Sequence, residues 1–347
     1  MKRRSIVTST LLFALSLSTT VGCSNSTQPV QTTPRTPQAS DVKLGFSAWP
    51  GWFPWQVAQE KELFNNNKVG VNLKWFDNYA DSISALNDGK IDANSQTLGD
   101  TVSSIAAGKD LVVVLTNDNS TGNDQIIVSE KIKSIKDLKG KKVAVEEGTV
   151  DHFLLALALK RVGMNIKEVQ LVKLETSKAA AAFAAGTIDA TAVFAPFTTT
   201  ALKRSGSRTL FSSKDFPGAI SDHLVFTRKF VLEHPEKVQA VVDTWFDTLQ
   251  HVKSALNIAE SDAIMAKRAG VSMAEYKDYL DGTKIFDAEQ NIEAFKPGKD
   301  NSFLPTAAVE SSKFLFENGL IKTQVDTSKM FDDRFVKAHI EKAKKRG

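Results

Sequence analysis

The sequence predicts an α/β protein with two lobes, each built on an open sheet whose strands alternate with helices. Short apolar stretches of strand length alternate with helical patterns along residues 42–212. An internal repeat supports this, because Ala85–Ala93 (ALNDGKIDA) matches Ala182–Ala190 (AFAAGTIDA) 97 residues further on. In each copy a glycine, Gly89 or Gly186, suits the left-handed position after a helix. The chain therefore contains two copies of one unit.

Each unit is expected to run strand, helix, strand, helix, strand, helix, strand, which is typical of parallel sheets. The first unit is expected at strands Val42–Phe46, Val71–Phe76, Ile91–Gln96 and Leu111–Leu115 and helices Trp55–Phe64, Asp81–Asp88 and Asp100–Ala107. The second is expected at strands Lys142–Val145, Gln170–Lys173, Ile188–Phe194 and Thr209–Ser212 and helices Asp151–Val162, Lys178–Ala185 and Thr198–Ser205.

Two short β-like stretches, Gln125–Val128 and His223–Thr227, lie between the units and predict two crossings between the lobes. We expect hinges near Gly122–Gln125 and Gly218–His223. The rest of the chain is helical and should pack on the first lobe, with helices at Val238–Ser254, Ala259–Ala269, Ala274–Leu280, Thr306–Asn318 and Phe331–Lys345. Residues 41–122 and 224–347 would form the first lobe, and residues 123–223 the second lobe with the crossovers.

The first 40 residues read as a secretion signal and a tether. Basic residues 2–4 precede a mostly apolar or small stretch, and Gly22-Cys23 follows it. A cysteine after a small residue resembles a bacterial lipobox, although Thr20 stands where leucine is favoured; an ordinary signal with a chance cysteine is the alternative. The resemblance implies cleavage of residues 1–22 and lipidation of Cys23. Residues 23–40, rich in Ser, Thr and Pro, would then be a flexible tether to the membrane.

Composition limits the remaining function classes. A hydrophobic content of 42% and a charged content of 24% describe an ordinary globular protein, and a formal net charge of +4 does not indicate nucleic-acid binding. The single cysteine excludes a disulfide framework and a cysteine-based metal cluster.

Three segments carry a resemblance to a known family. They are Pro54-Trp-Gln-Val-Ala-Gln-Glu-Lys-Glu-Leu-Phe64, Asp137-Leu-Lys-Gly-Lys-Lys-Val-Ala-Val145 and Gly148-Thr-Val-Asp-His-Phe-Leu-Leu155. With the two lobes and the lipobox, they resemble type II periplasmic substrate-binding proteins of ABC importers, in the nitrate, sulfonate, taurine and thiamine-precursor group. Glu62 departs from the family, which usually has glycine there. The resemblance implies an ABC permease and its ATPase as partners, a periplasmic location on the outer face of the cytoplasmic membrane, no cofactor, and a site lined by Thr149 and nearby amides.

The ligand site is expected in the cleft between the lobes, because open α/β sheets bind ligands outside the carboxyl ends of their strands. The loop after the first strand holds three of the five tryptophans, and aromatic faces there could grip a cation. Trp49 and Trp52 could instead pack under the loop. The candidate binding residues are Trp49, Trp52, Gln96, Asp100, Asp118, Glu147, Thr149, Asp151, Phe194 and Asp222.

The charge of these loops favours a cation. Acids far outnumber bases there, whereas an anion site would need an arginine or lysine. Of the adjacent Glu146 and Glu147, we expect Glu147 to face the cleft. Asp100 could alternatively be a helix N-cap, and His152 a packing residue. A small cationic or amidine-type solute such as guanidinium is therefore the main hypothesis, with taurine, an alkylsulfonate, nitrate or bicarbonate as the alternative.

An enzyme is the remote alternative. A pyrimidine-precursor synthase shares the fold but would require a cysteine-rich iron motif, and Cys23 is the only cysteine. The sequence has no Gly-x-Ser-x-Gly nucleophile elbow and no His-x-x-x-His zinc spacing. A sensor module that binds the same solute is a further possibility that the sequence does not separate from an importer.

Overall fold

The computed structural model describes residue 38 and residues 41–345. The expected signal peptide, the lipidated Cys23 and the expected tether, apart from residue 38, lie outside these residues. Among the described residues, no helix is both long and apolar enough to cross a bilayer.

The first repeat unit folds much as its pattern predicts. Its elements are β1 (Val42–Phe46), α1 (Pro54–Glu60), α2 (Leu63–Asn66), β2 (Val71–Trp75), α3 (Tyr79–Asn87), β3 (Ala93–Thr97), α4 (Leu98–Ala106) and β4 (Leu111–Ser120). The single helix expected over Trp55–Phe64 is wrong, because Glu62 has a φ of 54° and separates α1 from α2. The strand β4 is also longer than expected, so that Asp118 lies within it and not in a loop.

The second unit begins with a crossover strand. Its elements are β5 (Asp124–Val128), β6 (Lys142–Val145), α5 (Val150–Arg161), β7 (Gln170–Lys173), α6 (Thr176–Ala184), β8 (Ala190–Phe194), α7 (Phe197–Leu202) and β9 (Arg208–Ser212). The chain then returns through β10 (Ser221–Thr227) and continues with α8 (Arg228–Glu233), α9 (Pro235–Lys253), α10 (Ile258–Ala269), α11 (Met273–Asp281), β11 (Thr283–Ile285), α12 (Ala288–Ala294), α13 (Leu304–Glu317) and α14 (Arg334–Lys344).

These strands form two sheets, and we call each sheet with its helices a lobe. The first has the order β11-β4-β10-β3-β1-β2 and the second the order β7-β6-β8-β5-β9. The expectation of purely parallel sheets is wrong. The crossover strand β10 runs antiparallel between β3 and β4, β5 runs antiparallel between β8 and β9, and β11 is antiparallel to β4. Each crossover strand therefore completes the sheet of the lobe that it enters.

The helical tail packs on the first lobe, as its pattern predicts. Trp55 of α1 is fully buried, and its ring centroid lies 4.6 Å from that of Trp245 in α9. The helix α13 also reaches the second lobe, where Phe314 packs edge-on against Phe153 of α5 with ring centroids 5.2 Å apart. Burial of such large aromatic surfaces is the main source of stability for this arrangement.

Candidate solute-binding site

The tryptophan loop follows β1 and lies over the end of β4. Residues Pro50–Trp52 form one turn of 3₁₀ helix, and the Nε1 of Trp49 donates a hydrogen bond to Asp118 Oδ1 at 2.9 Å. A Cβ at position 51 would lie 1.9 Å from Asp118 Oδ2, so only glycine fits there. Trp49 and Trp52 are 4% and 3% exposed. The loop is thus held down on a buried carboxyl group.

Four aromatic rings enclose the space beneath this loop. The Trp49 ring lies 6.4 Å from Trp52 and 6.2 Å from Phe194, and the Tyr79 ring lies 5.5 Å from Trp52 and 6.1 Å from Phe194. Phe194 comes from β8 of the second lobe, and the other three come from the first. We call these four rings the aromatic box. Boxes of this kind attract cations through the negative faces of their rings.

Six buried carboxyl groups surround the aromatic box. The first lobe supplies Asp100, Asp118 and Asp222, and the second supplies Asp124, Glu146 and Asp151. None of the six is more than 5% exposed. Among the described residues they do not form a group arranged to hold a metal ion.

The crossover strands bring two of these acids into place. Asp222 on β10 lies directly opposite Asp118 on one side and Thr97 on the other. Asp124, at the start of β5, lies opposite Phe194. Burial raises the pKa of Asp118 and of Asp124 to about 7. Burial, followed by the neighbouring carboxylates of Asp118 and Asp124, raises the pKa of Asp222 well above its usual range.

Oδ2 of Asp124 and Nε1 of Trp52, which lie around the box, lack a hydrogen-bond partner within the described part of the chain. The carboxyl groups of Asp118 and Asp222 instead share a hydrogen bond with each other. A buried polar atom without a hydrogen bond costs about 1–3 kcal/mol. The Asp124 oxygen would be satisfied by a molecule that brings a hydrogen-bond donor into the box.

The carboxyl group of Asp100 is already hydrogen-bonded by its neighbours. Its Oδ2 accepts hydrogen bonds from Tyr79 Oη at 2.7 Å and Thr97 Oγ1 at 2.8 Å. Burial raises its pKa to about 7, while these two bonds and the Val150 amide of the second lobe act to lower it. The N-cap of α4 is Thr97, whose Oγ1 accepts from the Asp100 amide, so the capping role considered for Asp100 is wrong.

Glu146, and not Glu147, faces the other lobe. Its Oε2 accepts from Thr176 Oγ1 at 2.8 Å, and its Oε1 lies 3.4 Å from the amide of Ala80 in the first lobe. Glu147 is exposed and pairs with Lys173 at 2.7 Å. Our expectation for Glu147 is therefore wrong, because consecutive side chains at a strand end point to opposite sides.

Asp151 shares the hydroxyl group of Thr176 with Glu146, at 2.6 Å from Asp151 Oδ2. One hydroxyl has one proton to donate. Burial, and then the carboxylate of Glu146, raise the pKa of Asp151 well above its usual range. The Thr176 hydroxyl therefore cannot donate to both carboxyl groups at once.

The remaining candidates take supporting positions. Thr149 precedes α5, where its Oγ1 donates to the carbonyl oxygen of Glu146. Gln96 is buried and turned into its own lobe, where its Nε2 donates to Thr101 Oγ1 at 2.9 Å.

The Nδ1 of His152 accepts from the Gly148 amide, and burial lowers the pKa of this histidine. Burial also lowers the pKa of His223, to about 3. Both imidazoles are neutral at pH 7.

A small cavity remains inside the aromatic box. Its volume of about 10 Å³ is roughly what one water molecule needs. Its lining contains no lysine or arginine and consists of Trp49, Trp52, Tyr79, Thr97, Asp124, Val150, Phe194, Ile220 and Asp222. The lobes must therefore part slightly to admit a solute.

Of the predicted site residues, Trp49, Trp52, Phe194 and Asp222 line this cavity, and Asp118 lies directly behind Trp49. Sequence reasoning did not propose Asp124, because the residue fell in a segment interpreted only as a hinge. The sequence feature that could have indicated Asp124 is a charged residue at the start of an apolar strand.

Comparisons with known proteins agree with this architecture. A putative binding protein of Brucella abortus is 29% identical over 273 residues, which cover 76% of this chain and 82% of the relative. The taurine-binding periplasmic protein of Escherichia coli is 27% identical over 311 residues, which cover 86% of this chain and 94% of the relative. The structure of the alkanesulfonate-binding protein SsuA from Xanthomonas axonopodis pv. citri bound to MOPS superposes with a TM-score of 0.71 at 20% identity, covering 86% of this chain and all of that one.

The likeness to SsuA shows that the fold is that of periplasmic binding proteins. The sequence model of the NMT1-like family matches residues 35–266, which is more than half of the chain. The chain belongs to the NMT1-like family.

Proposed function

We propose that the chain is the extracytoplasmic solute-binding component of an ABC importer, and that it carries a small, positively charged nitrogen compound of the guanidinium type. The transport role rests on the two-lobed fold and on relatives named as periplasmic binding proteins. The partners would be an ABC permease and its ATPase. Attachment to the membrane through a lipid on Cys23 is part of the proposal.

The observation that carries the ligand class is the lining of the aromatic box. Two carboxyl groups, Asp124 and Asp222, face a cavity otherwise walled largely by aromatic rings. Oδ2 of Asp124 has no partner among the described residues, and Asp222 shares a hydrogen bond with Asp118. A planar cation would place its face against a tryptophan ring, which contributes about 0.5–2 kcal/mol. Its N–H groups would donate charge-assisted hydrogen bonds to the carboxylates.

The proposed closure of the two lobes follows from the lobe to which each of these groups belongs. Trp49, Trp52 and Asp222 belong to the first lobe, whereas Asp124 and Phe194 belong to the second. A cation therefore contacts both lobes only when they are closed. Its higher affinity for that state shifts the equilibrium towards closure, and the closed form would be the one presented to the permease.

An anion is the second candidate, because the relatives include proteins named for taurine and alkanesulfonate. Anion sites in proteins use arginine, lysine or free helix N-termini. The cavity lining of this chain has neither basic residue. At the start of α5, the Val150 amide already interacts with Asp100, and Asp151 adds negative charge. We therefore favour the cation.

A thermal-shift panel tests the charge of the ligand. The purified protein would be heated at pH 8 with millimolar guanidinium chloride, taurine, ethanesulfonate, nitrate or bicarbonate, with sodium chloride at the same ionic strength as a control. We expect guanidinium alone to raise Tm, because a ligand that binds only the folded state stabilises it. A rise with taurine or ethanesulfonate and none with guanidinium would reject the proposed ligand class while leaving the importer role in place.

A further inference from the structure

A second, larger cavity lies beside the aromatic box. Its volume is about 60 Å³. It is lined by Thr97, Gly99, Asp100, Ser103, Gly148, Thr149, Val150, His152, Phe153, Ala219, Ile220, Leu315 and Leu320. Thr97, Val150 and Ile220 also line the box, so they form the partition between the two spaces. We call the larger space the side compartment.

One wall of the side compartment is apolar and comes from three separate parts of the chain. Phe153 lies on α5, Ala219 precedes β10, and Leu315 and Leu320 lie on and just after α13. Leu315 and Phe153 are buried at 4% and 6% exposure. The leucines belong to the helical tail and have no counterpart in the second repeat unit. A feature built by the tail can therefore change without disturbing the box.

The partition joins the two lobes. Thr97 ends β3 of the first lobe, and Val150 begins α5 of the second. Any separation of the lobes widens the gap between them and connects the box with the side compartment. A solute that enters the open cleft can therefore lie across both spaces before the lobes close around it.

The size of the side compartment limits what it can hold. At the roughly 10–15 Å³ that one water-sized group requires, 60 Å³ has room for about four to six such groups. The opposite wall carries the hydroxyl groups of Ser103 and Thr149, the imidazole of His152 and the carboxyl group of Asp100. The Oδ2 of Asp100 already accepts hydrogen bonds from Tyr79 and Thr97. The apolar wall therefore suits a short aliphatic chain, and the described residues of the lining include no lysine or arginine for an anionic group.

We propose that the side compartment binds a short aliphatic substituent on the cationic head group, so that the solute is an N-alkylated guanidine or amidine with two or three carbons and not the bare cation. This proposal rests on the proposed function. Each buried methylene group contributes about 0.8 kcal/mol, which corresponds to roughly fourfold in affinity. The substituent would therefore supply part of the selectivity that the box alone lacks.

Titration calorimetry with a ligand series tests the proposal. The purified protein would be titrated at pH 8 with guanidinium and with methyl-, ethyl-, propyl- and hexylguanidine. We expect the Kd to fall roughly fourfold per carbon up to propyl, and to rise again for hexyl, which exceeds the space available. The quantity compared between variants is the ratio of the guanidinium Kd to the propylguanidine Kd.

Two variants that fill the compartment from different sides should bring this ratio close to one. They are Leu320→Phe, after α13, and Ala219→Leu, before β10. The matched control is Val309→Phe, on the outer face of α13, where the native side chain is 55% exposed and lines neither cavity. This control should keep the wild-type ratio. Far-UV circular dichroism would confirm that each variant is folded.

The possible outcomes separate this proposal from the proposed function. If guanidinium binds the wild-type protein but the alkylated members bind no tighter, the side compartment is not a substituent site. A wild-type ratio that persists in a folded filling variant would overturn the proposal in the same way. If no member of the series binds, the cationic ligand class itself is wrong.

Discussion

At the scale of single residues, the cleft is defined by which carboxyl groups are paired and which are not. Asp100 receives two hydroxyl donors, and Glu146 and Asp151 share a third. Asp124 and Asp222 both line the aromatic box. Asp124 retains an oxygen without a partner among the described residues, and Asp222 shares a hydrogen bond with Asp118. We therefore propose the first three as structural acids of the closed cleft, and Asp124 and Asp222 as the acids that face the ligand.

This division predicts a difference between similar substitutions. Asp124→Asn and Asp222→Asn should each weaken guanidinium binding about ten- to hundredfold, because a charge-assisted hydrogen bond contributes about 1.5–3 kcal/mol. The variants should stay folded, since a neutral amide replaces a buried carboxyl group of similar shape. Calorimetric titration at pH 8 measures the change.

Glu147→Gln is the matched control, because Glu147 is exposed and pairs with Lys173 outside the cleft. It should bind guanidinium as the wild type does. Equal affinities for the two aspartate variants and this control would show that the carboxyl groups of Asp124 and Asp222 do not contact the solute.

The sequence could indicate the acidic character of the cleft but not the orientation of each acid. Glu146 and Glu147 are adjacent and chemically alike. Which of them is buried depends only on the side of the strand to which each side chain points. Asp118 was chosen as a candidate for a loop, but it is buried in a strand, and its burial depends on Gly51, which lets the tryptophan loop approach it. That contact joins residues far apart in the chain, and no local pattern reports it.

At the scale of secondary-structure elements, periodicity predicted the long helices and the strands of both units. It missed α8, α12 and β11, which are short, and it joined α1 to α2. The break at Glu62 coincides with the one noted departure from the family pattern, where glycine is usual. An L-residue in the left-handed region costs about 1–2 kcal/mol, whereas glycine adopts it freely.

Glu62→Gly should therefore raise the free energy of unfolding, by up to about 1 kcal/mol, because the relief of strain exceeds the entropy that glycine adds to the unfolded chain. The control Glu62→Gln, which keeps a side chain in the same conformation, should leave stability unchanged. Urea denaturation is the suitable measurement, since guanidinium is the proposed ligand. A glycine variant less stable than the glutamine variant would contradict this explanation.

The crossover strands are the elements whose role was predicted least well from the sequence. Their β character was correctly predicted, but they were interpreted as links and hinges. In the structure, β5 and β10 are interior strands that run antiparallel to their neighbours and carry Asp124 and Asp222 to the cleft. Strand pairing depends on residues far apart in the sequence, so a short apolar stretch does not indicate which strands it will pair with.

At the scale of the whole molecule, the internal repeat was the most informative feature. It predicted two similar α/β lobes, and the structure has two sheets with the corresponding strand and helix order. The repeat also related the tryptophan loop of the first lobe to residues 146–149 of the second. Both segments do lie at the cleft, where Trp49 contacts Phe194 and Glu146 reaches Ala80.

The relatives and the cleft lead to different ligand classes. A relative named for taurine binding is similar in sequence, and a structure of an alkanesulfonate-binding protein has the same fold. Within that fold, this chain presents an aromatic box and carboxyl groups to the cavity and no basic side chain. The lining residues lie on loops and strand ends, where substitutions change the ligand without altering the scaffold. The central claim is therefore that the solute is positively charged.

The most direct test is the affinity for guanidinium measured by calorimetric titration between pH 6 and pH 8. Burial raises the pKa of Asp124, which lines the box, to about 7, so a proton on this carboxyl group competes with a cation below that pH and is released when the cation binds. The account predicts that guanidinium binds more tightly as the pH rises from 6 to 8, and that taurine does not bind at pH 8. Tight taurine binding that weakens over the same range, with no binding of guanidinium, would contradict it.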